Sequence, residues 1–99
     1  MSNKLVKSSN FIRAAKKFVH KHPDFAIELN DTLQTLMNDM LDNKLKTHKL
    51  KGEMKDFWAC SINYDYRISF QLVKAINEET GEAVDAILLT NIGTHDEVY

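Results

Sequence analysis

The feature that most constrains this chain is a change of hydrophobic period part-way along it. Between Phe11 and Leu41 the apolar residues recur every three or four positions, whereas from Phe57 onward they recur every two. The first spacing belongs to helices buried along one face and the second to strands buried on one side. Helices first and strands afterwards predict an α+β fold, in which an N-terminal helical hairpin packs on a small antiparallel sheet, mixed at its edge. At 99 residues, 43% hydrophobic and 27% charged, the chain is predicted to be a single domain over residues 1–99.

Local signals place the elements. Lys4 to Lys7 reads as a short first strand. Ser8, Ser9 and Asn10 offer capping oxygens ahead of the helical stripe Phe11, Ala14, Ala15, Phe18 and Val19. Pro23 disfavours the helical conformation at His22, so this helix is predicted to end there. Pro23 also suits the first turn of a second helix, whose stripe Phe25, Leu29, Leu33, Leu36, Met37, Met40 and Leu41 predicts a stop near Asp42 and Asn43. Trp58, Cys60 and Ile62, then Ile68, Phe70 and Leu72, mark the apolar sides of two strands joined at residues 63–66. A mostly apolar run from Ala83 to Ile92 predicts an interior third strand. With the apolar side against the helices, Ser61, Arg67, Ser69 and Gln71 are expected on the opposite, solvent-facing side.

Composition removes other classes. The one cysteine, Cys60, has no internal disulfide partner, and the N-terminal residues lack the apolar run of a signal peptide. No segment approaches the ~20 apolar residues of a membrane span. A cytoplasmic setting is expected. The charge is uneven: residues 1–55 hold 11 Lys/Arg against 6 Asp/Glu, and residues 56–99 hold 2 against 8. Lys44, Lys46, Lys49, Lys51 and Lys55 form a basic stretch suited to a phosphate backbone or to simple solvation.

Three segments then carry a resemblance. They are His48-Lys49-Leu50-Lys51-Gly52, the strand pair Phe57-Trp58-Ala59-Cys60-Ser61-Ile62 and Asp65-Tyr66-Arg67-Ile68-Ser69-Phe70, and the ending Asn91-Ile92-Gly93-Thr94-His95-Asp96-Glu97-Val98-Tyr99. Their order and spacing resemble the RelE/ParE toxin superfamily, nearest its YafQ-like and RelE/StbE-like branches. The resemblance implies a toxin paired with a cognate antitoxin in a hetero-oligomer. It further implies a ribosome-dependent endoribonuclease acting on mRNA, without metal or cofactor. The RNA's own 2'-hydroxyl would be the nucleophile and a 2',3'-cyclic phosphate the product.

Such chemistry needs a base, a cation for the phosphorane and an acid for the departing 5'-oxygen. By motif position, the resemblance implies His95 as the acid and Arg67 as the phosphate contact. His48 is implied as base or phosphate contact, and Asp65 matches a YafQ-type active-site aspartate. Tyr99 and Tyr66 match aromatics at the site, while Lys49 and Lys51 are candidate RNA contacts. The chain departs from YafQ-like members at Ser61, where they carry histidine, and at Asn91, where they carry arginine. The base then rests on His48 or Asp65. Within the superfamily a gyrase-poisoning ParE-like toxin, or a member that only binds its antitoxin, are the competing readings.

Overall fold

The chain folds as the change of period requires. The computed structural model describes residues 4–98. Among these residues five strands form one sheet: β1 (Lys4–Lys7), β2 (His48–Lys49), β3 (Trp58–Ser61), β4 (Tyr66–Ile76) and β5 (Ala83–Thr94). Their order is β1-β5-β4-β3-β2. β1 lies parallel to β5, and every other pairing is antiparallel, so the sheet is mixed at one edge as predicted.

Helix α1 (Ser9–Lys21) begins where the sequence places it, because the Ser8 hydroxyl accepts the Phe11 amide at 3.0 Å. It ends at His22, whose amide donates to the Phe18 carbonyl before Pro23 stops the ladder. A 3-10 turn over Pro23–Phe25 leads into α2 (Ala26–Asn38). This second helix is shorter than its apolar stripe predicts. Asp39 turns to extended backbone (φ −159°, ψ 99°), and its carboxylate accepts the Leu41 amide at 3.0 Å. Asp42 likewise accepts the Lys44 amide at 2.9 Å. These side chains offer the backbone partners that a further helical turn would have used, and Leu41 is left exposed.

One face of the sheet carries the main core. Cys60, Ile68, Phe70, Ile87, Leu89 and Ile92 meet Phe11, Phe18, Leu29 and Leu36 from the helices, with Leu33 and Trp58 half-buried at the margin. The expected inward Leu72 is instead 50% exposed. Its cross-strand partner Ile87 is buried, so at that level the helices cover β5 and leave β4 open. Further along, the eleven residues of β4 span roughly 36 Å against roughly 20 Å for a thirteen-residue helix, and the overhanging ribbon leaves Ile76 exposed.

The other face is not simply solvated. Leu50 and Val98 pack on Ala59, with Met54 and Phe57 beside them, in a second small core. Ser69 is buried there, its hydroxyl 2.8 Å from that of Thr90. Thr90 is itself an extra residue in β5, since Ser69 pairs with Asn91 while Phe70 pairs with Leu89. Among the described residues no helix is long and apolar enough to cross a membrane.

Leu36, fully buried, and Leu41, 66% exposed, give a direct check on where α2 stops. Leu36→Ala is expected to cost about 2–5 kcal/mol, and Leu41→Ala within about 0.5 kcal/mol of nothing, in chemical denaturation. Equal losses at the two positions would contradict this boundary.

Candidate active site

The site begins with one asparagine in the β3–β4 turn. The Asn63 side-chain oxygen accepts the amides of Asp65 and Tyr66, each at 3.0 Å, which bends the chain into β4. Its amide nitrogen donates to Glu28 of α2 at 3.0 Å, locking the turn to the helical layer. Arg67 then folds back over the turn it follows. Its Nη1 donates to the carbonyls of Asn63 at 2.9 Å and of Tyr64 and Tyr66 at 3.2 Å. A guanidinium carries five donors, so one nitrogen can anchor it while others serve a ligand. Across the ladder Arg67 pairs with Gly93, a residue with no side chain to crowd it.

The second part is the end of β5. The run Thr94-His95-Asp96-Glu97 is a capping box: the Glu97 carboxylate accepts the Thr94 amide at 3.0 Å and starts the one-turn helix α3 (His95–Val98). Hydrogen bonds from Thr94, and more weakly the nearby charges of Lys17 and Lys21, hold the Glu97 carboxyl below its usual range. A depressed carboxylate stabilises at neutral pH, and its contribution fades only as pH falls through the folded value. Gly93 makes room for this turn. A Cβ there would stand 2.7 Å from the Glu97 Cβ.

These parts surround one depression of about 670 Å3, lined by Asp65, Tyr66, Arg67, His95 and Asp96 together with His22. Arg67 and Tyr66 are half-buried, whereas His95 and Asp65 are exposed. The structure therefore gathers Arg67, His95, Asp65 and Tyr66, but not every expected residue. His48, Lys49 and Lys51 line a separate depression with Leu50 and Met54. There His48 Nδ1 lies 3.0 Å from the Lys46 carbonyl. Tyr99 lies outside the described residues. Ser61 lines a cleft with Glu28, Asp31 and Lys44, and Asn91 a groove with Lys17 and Lys21.

His22 is the member that sequence reading missed. Its Nε2 lies 2.8 Å from the Tyr66 hydroxyl, and its ring stacks on Phe25 at 5.1 Å. Nothing in the local sequence beyond its place before Pro23 marks it, because its partner is 44 residues away. Cys60, by contrast, is no nucleophile: burial pushes its thiol up to about 12. Among the described residues no three His, Cys, Asp or Glu side chains group as a metal site.

Helices packed on a five-stranded mixed sheet are the fold of the RelE/ParE toxins. The chain belongs to the YafQ family, the bacterial toxins of type II toxin-antitoxin systems, whose model matches residues 3–99. A copper-bound mutant toxin from Helicobacter pylori is 29% identical, with both chains fully covered and a TM-score of 0.72. YafQ from E. coli shares 17% identity over 98% of each chain, with a TM-score of 0.74. In the E. coli DinJ-YafQ toxin-antitoxin complex, the matching chain is 18% identical over 100% of this chain and 99% of that one, at a TM-score of 0.72. No curated protein sequence matches at a significant level.

If α3 sets the position of His95, Gly93→Ala should cut activity far more than it cuts stability, because the added methyl displaces Glu97 and the turn with it. Growth arrest in cells beside a melting curve of the purified protein checks this. Full toxicity in a folded Gly93→Ala protein would show that the turn does not position the site.

Proposed function

We propose that this YafQ-family toxin is a ribosome-dependent mRNA endoribonuclease acting in the cytoplasm as one domain. The observation that carries the reading is the single depression shared by Arg67, His95, Asp65 and Tyr66. A planar guanidinium suits the non-bridging oxygens of a phosphate, and an imidazole suits proton delivery to the leaving 5'-oxygen. Arg67 therefore stabilises the phosphorane and His95 acts as general acid. Of the two base candidates, Asp65 shares their depression and His48 does not. Tyr66 is the aromatic residue that lines the site beside the RNA. No step in this scheme calls on a metal or cofactor.

His48, Lys49 and Lys51 form the neighbouring basic surface, which we assign to the RNA backbone. A cognate antitoxin with acidic or apolar residues would cover that surface and the Arg67 face, blocking RNA access in a toxin-antitoxin hetero-oligomer. Changing Lys49, Lys51 and Arg67 together to Ala should weaken antitoxin binding in titration calorimetry. Unchanged affinity would rule out this contact.

Primer extension on mRNA from arrested translation tests the activity. Wild type should leave discrete cuts within translated codons. His95→Ala should slow cutting by roughly a hundredfold or more, and Arg67→Ala should weaken both binding and turnover. Arrest without cuts would reject the nuclease reading and favour a gyrase-directed or binding-only toxin.

A further inference from the structure

The mechanism needs a proton acceptor, and apart from Asp65, an exposed residue of the hairpin turn, the positions the sequence offers for it are poorly placed. Ser61 has no titratable group near neutral pH, and His48 lines a different depression from Arg67 and His95. The structure supplies another pair. Tyr66 and His22, hydroxyl to Nε2 at 2.8 Å, both line the depression that holds Arg67 and His95. Both also line the adjoining groove of about 440 Å3 with Lys17 and Lys21, so the pair forms the wall between the two hollows.

Aromatic rings hold the pair in place between the two hollows. The Phe18 ring packs edge-on against Tyr66 at 5.0 Å and lies 5.7 Å from the His22 ring, while Phe25 stacks on His22. Tyr66 is further fixed by the hydrogen bond its backbone amide donates to the Asn63 side-chain oxygen. The charged groups around the pair come from each neighbouring element. Lys17 and Lys21 belong to α1, Asp24 to the turn that follows, and Asp65 and Arg67 to the hairpin. His95, Asp96 and Glu97 face it from α3.

Resting on the nuclease reading, we propose that Tyr66 and His22 together accept the proton of the attacking 2'-hydroxyl. As the O2'–P bond forms, that proton passes to the Tyr66 oxygen while the Tyr66 proton moves to His22 Nε2. The P–O5' bond breaks, and the departing oxygen takes its proton from protonated His95. The products are a 2',3'-cyclic phosphate and a 5'-hydroxyl, with His22 left as imidazolium and His95 neutral. A proton exchange through solvent resets both. The scheme requires the His22 tautomer with its proton on Nδ1, which leaves Nε2 to accept from the tyrosine. Arg67 lines the same depression as the pair, which puts a cation for the phosphate and the proton acceptor in one site.

The test is the pH profile of single-turnover mRNA cleavage on purified ribosomes. Wild type should give a bell, its acid-side limb set by the acceptor and its alkaline limb by His95. His22→Gln can still hydrogen-bond Tyr66 but cannot titrate. It should cleave roughly a hundredfold more slowly and lose the acid-side limb, with ribosome binding and melting temperature unchanged. Tyr66→Phe, which breaks the relay from the other end, should lose the same limb. A His22→Gln protein with the wild-type rate and profile overturns the proposal while leaving the nuclease reading intact. Loss of the acid limb in Asp65→Asn, but not in His22→Gln, overturns it in favour of Asp65. Should either histidine-pair variant melt early, the other decides. Absence of cleavage by wild type removes both the proposal and the reading beneath it.

Discussion

The arrangement of this molecule turns on one extra residue, Thr90, in the ladder between β4 and β5. Ser69 pairs with Asn91 and Phe70 with Leu89, so Thr90 has no partner across the strand. Strict alternation would put Leu89 and Ile92 on opposite faces, yet both are buried in the same core. The bulge resolves the conflict by advancing the register one step. It is held on both sides: Thr90 donates to the Ser69 carbonyl at 2.9 Å, and Asn10 at the start of α1 donates to the Thr90 carbonyl at 2.8 Å. With that step taken, Ile92 turns inward and Gly93 comes opposite Arg67. A bulge beside an active site commonly re-aims side chains in this way.

Beyond the bulge, the site draws on three separate pieces of chain. The hairpin turn brings Asp65, Tyr66 and Arg67; the end of α1 brings His22; and the capping box after β5 brings His95. Each piece is fixed by groups outside the proposed catalytic set. Asn63 satisfies two amides and ties the turn to Glu28 of α2, while Glu97 closes α3 over a glycine. Preorganisation of this kind is what the proposed phosphate site requires of an exposed depression. It also explains why a chain this small can host a site at all. The helical layer covers one face of the sheet, and only the hairpin end, where the overhang is absent, lies beside both α1 and α3.

Much of the fold was legible because its signals are local. Ser8 and Pro23 bracket α1, and the alternation through Trp58, Cys60, Ile68 and Phe70 marks the sheet face that meets the helices. The length of α2 was misread because Met40 and Leu41 continue the apolar spacing, whereas Asp39 ends the helix through a hydrogen bond that spacing does not register. Leu72 alternates correctly but stays exposed beside the buried Ile87, because at that level the helices cover β5 and not β4, a matter of where the layer sits rather than of pattern. Ser69 read as a surface residue and is buried, since Leu50 and Val98 arrive from distant segments to cover that face. The family motifs led to Arg67, His95, Asp65 and Tyr66, which share one depression, and to His48, which does not. The Thr94-x-x-Glu97 box was readable and is what places His95. His22 was not readable, because its meaning depends on a tyrosine brought to it by the fold.

The central claim is that the hairpin end of the sheet, and no other surface, takes the scissile phosphate. The most direct measurement is the structure of the toxin on a ribosome carrying mRNA with a 2'-O-methyl group at the cut site, which blocks the nucleophile. The account predicts that phosphate against the Arg67 guanidinium, with His95 beside the 5'-oxygen and Tyr66 beside the 2'-oxygen. A phosphate seated instead among His48, Lys49 and Lys51, with Arg67 still folded over its own turn and untouched by RNA, would contradict it.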